Sequence, residues 1–164
     1  MMASGAGVMR MEILAGIFHH GVIVDDLEAA MAHFTATMGC TWTPVRAFDP
    51  MPVWNAAGEQ LTAKLRVVYS HQGPLRMELI ESVPGTAYDA MRALGPSHLG
   101  VWVDSVADSA EAMLADGWEL VLGGAPAAQG HGAIAYLSKP GSPVIELVAR
   151  AITPVMEEWW AATA

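Results

Sequence analysis

The sequence predicts an α+β protein built from two copies of one β-α-β-β-β module. The segment that begins at His19 recurs at His98, and each copy predicts a strand followed by a helix. Each copy also ends in an apolar strand with a glutamate at its centre, Glu78 in the first and Glu146 in the second. With 53% apolar residues among 164, the chain can bury a sizeable core. A duplicated module that supplies one histidine and one glutamate per copy can build a metal site.

The first module is expected at residues 15–83, after an N-terminal extension at 1–14. Asp25-Asp26 offers an N-cap, and the apolar residues that follow recur at helical spacing until Gly39. The prolines in Asp49-Pro50-Met51-Pro52 predict a break in the chain. The elements expected are, in order, a strand at 17–24, a helix that stops at Gly39, a β-rich segment at 41–48, and strands at 61–70 and 75–82.

The second module, residues 97–150, repeats this order after a linker at 84–96 that can form a short helix at 86–94. Its elements are expected as a strand at 97–104, a helix at 106–116, and strands at 118–122, 132–138 and 143–149. Residues 151–164 form a tail with a terminal helix at 153–162. We interpret Trp159 and Trp160 in that helix as packing or subunit-contact residues rather than a cofactor site.

Charge and composition exclude several classes of partner. A net charge of −9 argues against nucleic acid or an anionic membrane as the main partner. No run approaches the roughly 20 apolar residues that a membrane span needs. The single cysteine, Cys40, cannot form an internal disulfide, which is typical of a reducing compartment. We therefore expect a cytoplasmic protein that acts on a small molecule.

The repeated histidines and glutamates have the chemistry of a metal site. Because side chains two apart share one face of a strand, Gly21 lies beside His19 and Gly100 beside His98, which predicts room there for a ligand. A carboxylate inside an apolar strand is costly to bury unless it is paired or bound to a metal. Imidazole and carboxylate groups suit first-row divalent metals, and four such ligands leave two octahedral positions open.

Each of these residues has an ordinary alternative explanation. A lone strand histidine is more often packed in the core or at an edge, and a lone strand glutamate usually faces solvent. The repeat favours the metal site, because both residue types recur at matched places. The adjacent His20 competes with His19 for the first position. We prefer His19, because it lies seven residues before Asp26, as His98 lies seven before Ser105.

In order and spacing, four segments of the chain resemble the vicinal oxygen chelate superfamily, and its glyoxalase and methylmalonyl-CoA epimerase branch in particular. These segments are His19 to Ala30, Met77 to Leu79, Ser97 to Val101 and Pro140 to Val148. The resemblance covers about residues 15–150. It implies that the two modules curl into a half-open barrel around one divalent ion, which can be Zn, Ni, Co, Mn or Fe. The family's ligand positions hold His19, Glu78, His98 and Glu146, and they can be completed within one chain or across a homodimer, the assembly we expect.

The superfamily includes three kinds of activity. Enzymes that transfer a proton through a metal-chelated enolate include epimerases, isomerases, lyases and glyoxalases, acting on carbonyl or acyl-CoA substrates. Extradiol dioxygenases use two histidines and one glutamate, and resistance proteins bind small molecules and generally lack the metal ligands. Because all four metal-ligand positions are filled in this chain, proton transfer is the activity that we favour. Two departures leave the substrate open: the epimerases typically carry glutamine where this chain has Glu78, and no basic cluster suits the glutathione of glyoxalase I.

The resemblance also suggests candidate catalytic and substrate-binding residues. Glu146 can act as the base if it leaves the metal. Glu59 falls near a second catalytic glutamate of the epimerases, with a misfit of two residues, and is otherwise a solvated turn residue. His131 is either a substrate contact or a surface-loop histidine. The full set of substrate-binding candidates is Trp102, Tyr69, Trp54 and His131, of which Trp102 shares the His98 face.

Overall fold

The computed structural model describes residues 14–163. Of the predicted N-terminal extension, all but Leu14 lies outside the described residues. The strands are β1 (Ile17–Val24), β2 (Arg46–Trp54), β3 (Gln60–Tyr69), β4 (Arg76–Ser82), β5 (Ser97–Val103), β6 (Glu119–Gly123), β7 (Ile134–Ser138) and β8 (Val144–Ala149). The helices are α1 (Leu27–Met38), α2 (Asp89–Ala93), α3 (Val106–Ala115) and α4 (Thr153–Ala161). In this part of the chain, no helix is long and apolar enough to cross a membrane.

The eight strands form one barrel in the order β1-β4-β3-β2-β6-β7-β8-β5. In each module the first strand pairs in parallel with the last, and the two first strands, β1 and β5, pair antiparallel with each other. On the opposite side the ring closes through a single residue pair, Trp54 with Gly123. The structure thus confirms the predicted α+β fold of two β-α-β-β-β modules, which are joined tightly on one side and weakly on the other.

The helix boundaries follow from the capping residues that the repeat carries. The Asp26 carboxylate accepts a hydrogen bond of 2.8 Å from the backbone N–H of Ala29, and Ser105 accepts one of 3.1 Å from Asp108 at the start of α3. Helix α1 ends at Gly39, whose φ of 70° is a conformation that glycine adopts without steric cost.

The predicted break at residues 49–52 is wrong, because β2 continues through it to Trp54. The register against β3 shifts between Phe48 and Met51, which accommodates the irregular Pro50. Along most of its length β2 pairs only with β3, since β6 reaches it only at Trp54. A proline has no N–H to donate, but an edge strand needs none on its free side, so both prolines are tolerated there.

Side chains alternate along β4 and β8, the last strand of each module, so neighbouring residues point to opposite sides of the barrel. Glu78 and Glu146 point inward, whereas Leu79 and Leu147 are fully buried on the outside. Leu79 packs with residues of α1, and Leu147 packs with residues of α3. Each helix therefore covers the strand that carries a glutamate into the interior.

Helix α4 packs against the interior of the barrel. Its Met156 and Trp159 are buried in the same cluster as residues of β2, β3 and β4. The indole N–H of Trp159 donates a hydrogen bond of 2.8 Å to the backbone carbonyl of Pro44. Trp159 thus packs within its own chain, as one of the two sequence-based interpretations held, and it also lines the interior cavity.

Replacing Leu147 with alanine should lower the free energy of unfolding by about 2–5 kcal/mol, because it removes fully buried side-chain volume between β8 and α3. Leu75→Ala is the control, since Leu75 is 56% exposed, and it should change stability by less than about 0.5 kcal/mol. Denaturant unfolding of both variants measures the difference, and equal effects would contradict the packing described.

Candidate metal centre

The pairing of β1 with β5 brings the two repeat histidines together. His19 lies opposite Gly100, and His98 lies opposite Gly21, in the antiparallel register. The two imidazole rings meet edge to face with their centres 5.2 Å apart, and their Nε2 atoms are 3.1 Å apart. The contact between modules therefore assembles the histidine half of the site.

The two repeat glycines make room for these rings. A Cβ atom on Gly21 would lie 1.9 Å from Cε1 of His98, and one on Gly100 would lie 1.9 Å from Cε1 of His19. The sequence-based expectation that this space is kept for a ligand is wrong, because the histidine of the other module fills it. Each module thus carries one histidine and one glycine, and the glycine leaves the space that the histidine of the other module occupies.

The last strand of each module, β4 or β8, places its glutamate beside the glycine of the first strand. Glu78 pairs with Gly21 across β1 and β4, and Glu146 pairs with Gly100 across β5 and β8. Oε2 of each carboxylate lies close to Nε2 of both histidines. The distances are 2.9 Å for His19 to Glu146, 3.1 Å for His98 to Glu78, 3.4 Å for His19 to Glu78, and 3.3 Å for His98 to Glu146.

These four side chains, which we call the quartet, have the chemistry and spacing that a divalent ion requires. All four are buried, and their ligand atoms lie within 4.8 Å of one another. Two ligand atoms that each lie about 2.1 Å from an ion, at right angles to one another, are about 3 Å apart. The distances between the histidine nitrogens and the glutamate oxygens are close to this value. Oε2 of Glu146 is buried, and its polar neighbours are Nε2 of His19 and Nε2 of His98. A cation bound between the donors would balance the two buried carboxylates.

Without a bound ion, protons hold the quartet together. Burial opposes the charged form of His98, but hydrogen bonds and charge from Glu146 and Glu78 outweigh burial and raise its pKa to about 10. Burial likewise disfavours the Glu146 carboxylate, yet hydrogen bonds from His19 and His98 hold its pKa well below the usual range. Proton and metal therefore compete for the same atoms.

All three tyrosines of the chain lie in the wall beside the quartet. The Tyr69 hydroxyl donates a hydrogen bond to Oε1 of Glu78, its cross-strand partner. Tyr136 is the corresponding partner of Glu146, and its hydroxyl accepts a hydrogen bond of 3.0 Å from Tyr88. Burial, then the nearby carboxylates, raises the pKa of Tyr69, so it stays a donor.

Sequence reasoning missed Tyr88 and Tyr136. The signal for Tyr136 was present, because a tyrosine stands nine residues before Glu78 and another ten residues before Glu146. Tyr88 lies near the short helix of the linker and has no counterpart in the repeat, so no pattern indicated it.

The quartet adjoins a cavity of about 370 Å³ inside the barrel. Glu78 and Glu146 line this cavity, and its other walls are mostly apolar, with side chains such as Phe18, Phe48 and Leu65. Helix α4 contributes Val155, Met156 and Trp159 to the wall. Among the residues of 14–163 that line the cavity, Glu78 and Glu146 are the only acids and Arg46 is the only base.

Of the four substrate-binding candidates, the structure brings only Tyr69 to the cavity. Trp102 stacks on Phe18, with ring centres 3.9 Å apart, and lines a separate groove with Asp104 and Asp108. Trp54 lies at the end of β2, outside the cavity wall.

His131 is buried rather than exposed on a surface loop. Its backbone has a φ of 64°, and its Nδ1 has no hydrogen-bond partner in residues 14–163. Burial lowers its pKa. His131 does not line the cavity, although Ala133 and Ile134, which follow it closely, do.

Glu59 is not part of the site. It is exposed at the tip of the hairpin between β2 and β3, where it accepts a hydrogen bond of 2.7 Å from the side chain of Asn55. The side chain of Asn55 also stabilises this turn by accepting a hydrogen bond of 3.0 Å from the Glu59 backbone N–H. His20 also lies outside the quartet, half-buried on β1.

Residues 18–136 match the family model described as the glyoxalase/bleomycin resistance protein/dioxygenase superfamily. The chain belongs to this superfamily. The matched region contains three members of the quartet, and Glu146 follows it on β8. No curated protein matches the sequence significantly.

Solved structures share the fold at low sequence identity. A hypothetical protein from Bacillus halodurans is 15% identical with a TM-score of 0.56, over 82% of this chain and 93% of its own. The methylmalonyl-CoA epimerase of Mycobacterium tuberculosis is 16% identical with a TM-score of 0.54, over 91% of this chain and 92% of its own. A mutant 4-hydroxymandelate synthase from Streptomyces coelicolor is 14% identical with a TM-score of 0.53, over 81% of this chain and 48% of its own. These similarities confirm the fold.

The His98→Ala variant should lose most of the bound metal, because it removes a donor that faces the other three ligands. His33→Ala is the control, since His33 is exposed on α1. Elemental analysis of protein purified without an affinity tag or chelator measures both. Full metal content in the His98 variant would contradict the assignment.

The Tyr69→Phe variant should weaken metal binding by about tenfold or more, because Glu78 loses the hydroxyl that orients it. Tyr136→Phe is a matched control, since that hydroxyl bonds Tyr88 and no quartet member. Competition titrations against a metal indicator measure both affinities. A similar loss in the two variants would show that the Tyr69 bond does not position Glu78.

Metal binding at pH 8 should release about one proton, because His98 with a pKa of about 10 is protonated in the metal-free protein and must be neutral to bind a metal. The raised pKa stabilises the metal-free fold most below pH 6.5, and this contribution is lost as the pH rises through about 10. Calorimetry in buffers of different ionisation enthalpy counts the protons. Zero release at pH 8 would contradict the assigned charge state.

Proposed function

We propose that this protein is a divalent-metal-dependent enzyme that transfers a proton at the carbon beside a carbonyl group. The reaction class is that of an epimerase, isomerase, lyase or glyoxalase-like enzyme, acting on a small carbonyl or acyl-CoA substrate. The observation that supports this most is the position of the carboxylates, because both Glu78 and Glu146 line the cavity beside the quartet's histidines. A substrate in the cavity would therefore meet the metal donors and two bases together.

His19, Glu78, His98 and Glu146 would hold the metal. When bound, a divalent ion supplies a Lewis acid that stabilises negative charge on a carbonyl oxygen. This charge develops when the neighbouring carbon loses its proton, a step that is unfavourable in water at neutral pH. The mostly apolar cavity walls lower the local dielectric constant and so would strengthen that stabilisation.

Glu146 is the better candidate for the base. Glu78 accepts a hydrogen bond from the Tyr69 hydroxyl, which holds it in place, whereas Glu146 contacts the two histidines but accepts no hydrogen bond from a tyrosine in the described residues. Glu146 can therefore turn toward a substrate carbon at a smaller cost. With Glu59 outside the site, no other carboxylate in residues 14–163 lines the cavity.

A small-molecule binding protein of the resistance type is the second candidate. The aromatic and apolar walls of the cavity favour it, because such walls suit the capture of an apolar ligand without chemistry. An extradiol dioxygenase is a weaker alternative, since four protein ligands leave only two positions, both needed by a chelating substrate. We also propose that the protein is a cytoplasmic homodimer, although one chain supplies all four quartet residues.

The enzyme should exchange the α-proton of a substrate with solvent. We would incubate the metal-loaded protein with acyl-CoA, 2-oxo and lactone compounds in D₂O and follow deuterium incorporation by NMR. Glu146→Gln should slow the exchange by about 10²–10⁴-fold, as expected for loss of a general base. Glu59→Gln is the control and should leave the rate unchanged, because Glu59 is exposed outside the site.

The absence of exchange with every compound, together with tight binding of an unreacted aromatic ligand, would favour the binding protein instead. Iron-dependent oxygen consumption with a catechol would favour the dioxygenase.

A further inference from the structure

Arg46 lines the cavity, and its guanidinium makes no hydrogen bond or ion pair to the described chain. Every other arginine and lysine in residues 14–163 contacts a carboxylate or a backbone carbonyl oxygen. These residues are Lys64, Arg66, Arg76, Arg92, Lys139 and Arg150. Arg46 thus carries a full positive charge whose hydrogen-bond donors are unused, and it does so in a mostly apolar wall.

The Arg46 guanidinium packs on the ring of Trp159, with its central carbon 4.4 Å from the ring centre. Trp159 is buried and its indole N–H is bonded to Pro44, so the ring is a fixed support. Stacking on an aromatic face leaves the N–H groups at the guanidinium edge free to donate. An edge of this kind matches the two oxygens of a carboxylate.

The strand register sets the separation between Arg46 and the quartet. Arg46 lies opposite Val67 on β3, and Val67 lies opposite Ile80 on β4, two residues from Glu78. With about 4.8 Å between strands and about 3.4 Å per residue, the backbones of Arg46 and Glu78 are on the order of 12 Å apart. Val67 and Ile80 line the cavity between them, so the two polar ends are separated by an apolar stretch.

The net charge of the metal-loaded cavity indicates the charge of the substrate that it would bind. A divalent ion, two carboxylates and two neutral imidazoles sum to zero, so Arg46 leaves the loaded cavity with one positive charge. We propose that the substrate is a small oxo acid, with its carbonyl end at the quartet and a distal carboxylate paired with Arg46. This inference rests on the proposed function, because it assumes that a substrate carbonyl lies at the quartet.

Matched ligands that differ only at the distal end test this inference. The probes are 2-oxoglutarate and 2-oxoadipate, each compared with the amide of its distal carboxylate, and the measurement is calorimetric titration of zinc-loaded protein. At least one carboxylate should bind wild-type protein about tenfold or more tightly than its amide, as expected for a hydrogen-bonded charge pair. In Arg46→Met this ratio should fall to about one.

Arg76→Met is the matched control. Arg76 also stacks on a tryptophan, 4.4 Å from the ring centre of Trp160, but it does not line the cavity. This variant loses the same charge and a similar stack, so it should keep the wild-type preference. An equal fall in both variants would assign the preference to the overall field of the protein and overturn the role of Arg46.

The metal content of the same samples separates the two proposals. If wild-type protein holds zinc but prefers neither carboxylate over its amide, the role of Arg46 is wrong and the metal site stands. If wild-type protein cannot hold zinc, the proposed function fails with it. Thermal unfolding of Arg46→Met checks that the variant is folded, and Arg46→Lys should retain part of the preference because it keeps the charge.

Discussion

Two buried carboxylates that face two buried imidazoles are the constraint on which the rest of the structure depends. Glu78 and Glu146 are each only 5% exposed, and burying an uncompensated carboxylate costs several kcal/mol. A proton on His98 offsets part of this cost in the metal-free protein, and a divalent ion would offset more of it. The glycines of β1 and β5 make room for the histidines, the Tyr69 hydroxyl bonds Glu78, and helices α1 and α3 cover the strands that carry the glutamates.

The duplication explains how a small chain meets this constraint. Each module supplies a histidine, a glycine and a glutamate. The antiparallel pairing of β1 with β5 places the histidine of each module in the space beside the glycine of the other. The two modules differ in the tyrosines beside their glutamates. Tyr69 bonds Glu78, but Tyr136 bonds Tyr88 and leaves Glu146 without a tyrosine partner. Glu78 is therefore held by a tyrosine hydroxyl as well as by the histidines, and Glu146 by the histidines.

The sequence was sufficient to predict the modules, most element boundaries and the convergence of the quartet, because the repeat constrains all of them at once. It was misleading at Pro50 and Pro52, since local proline rules do not show that β2 is largely an edge strand. The role of Gly21 was missed because a side chain from another module fills its space, and spacing within one strand cannot show that. Arg46 carries no motif, and its place in the cavity depends on α4 and Trp159, which lie more than one hundred residues away.

X-ray absorption spectroscopy of the zinc-loaded protein tests most directly whether the quartet binds a metal, because it reports the atoms bound to the metal independently of any substrate. We expect two imidazole nitrogens together with carboxylate or water oxygens, at about 2.0–2.2 Å from the zinc. The imidazole signal should disappear or fall by half in His19→Ala. Sulfur ligands, the absence of an imidazole signal, or an imidazole signal that His19→Ala leaves unchanged would contradict a metal site formed by the quartet.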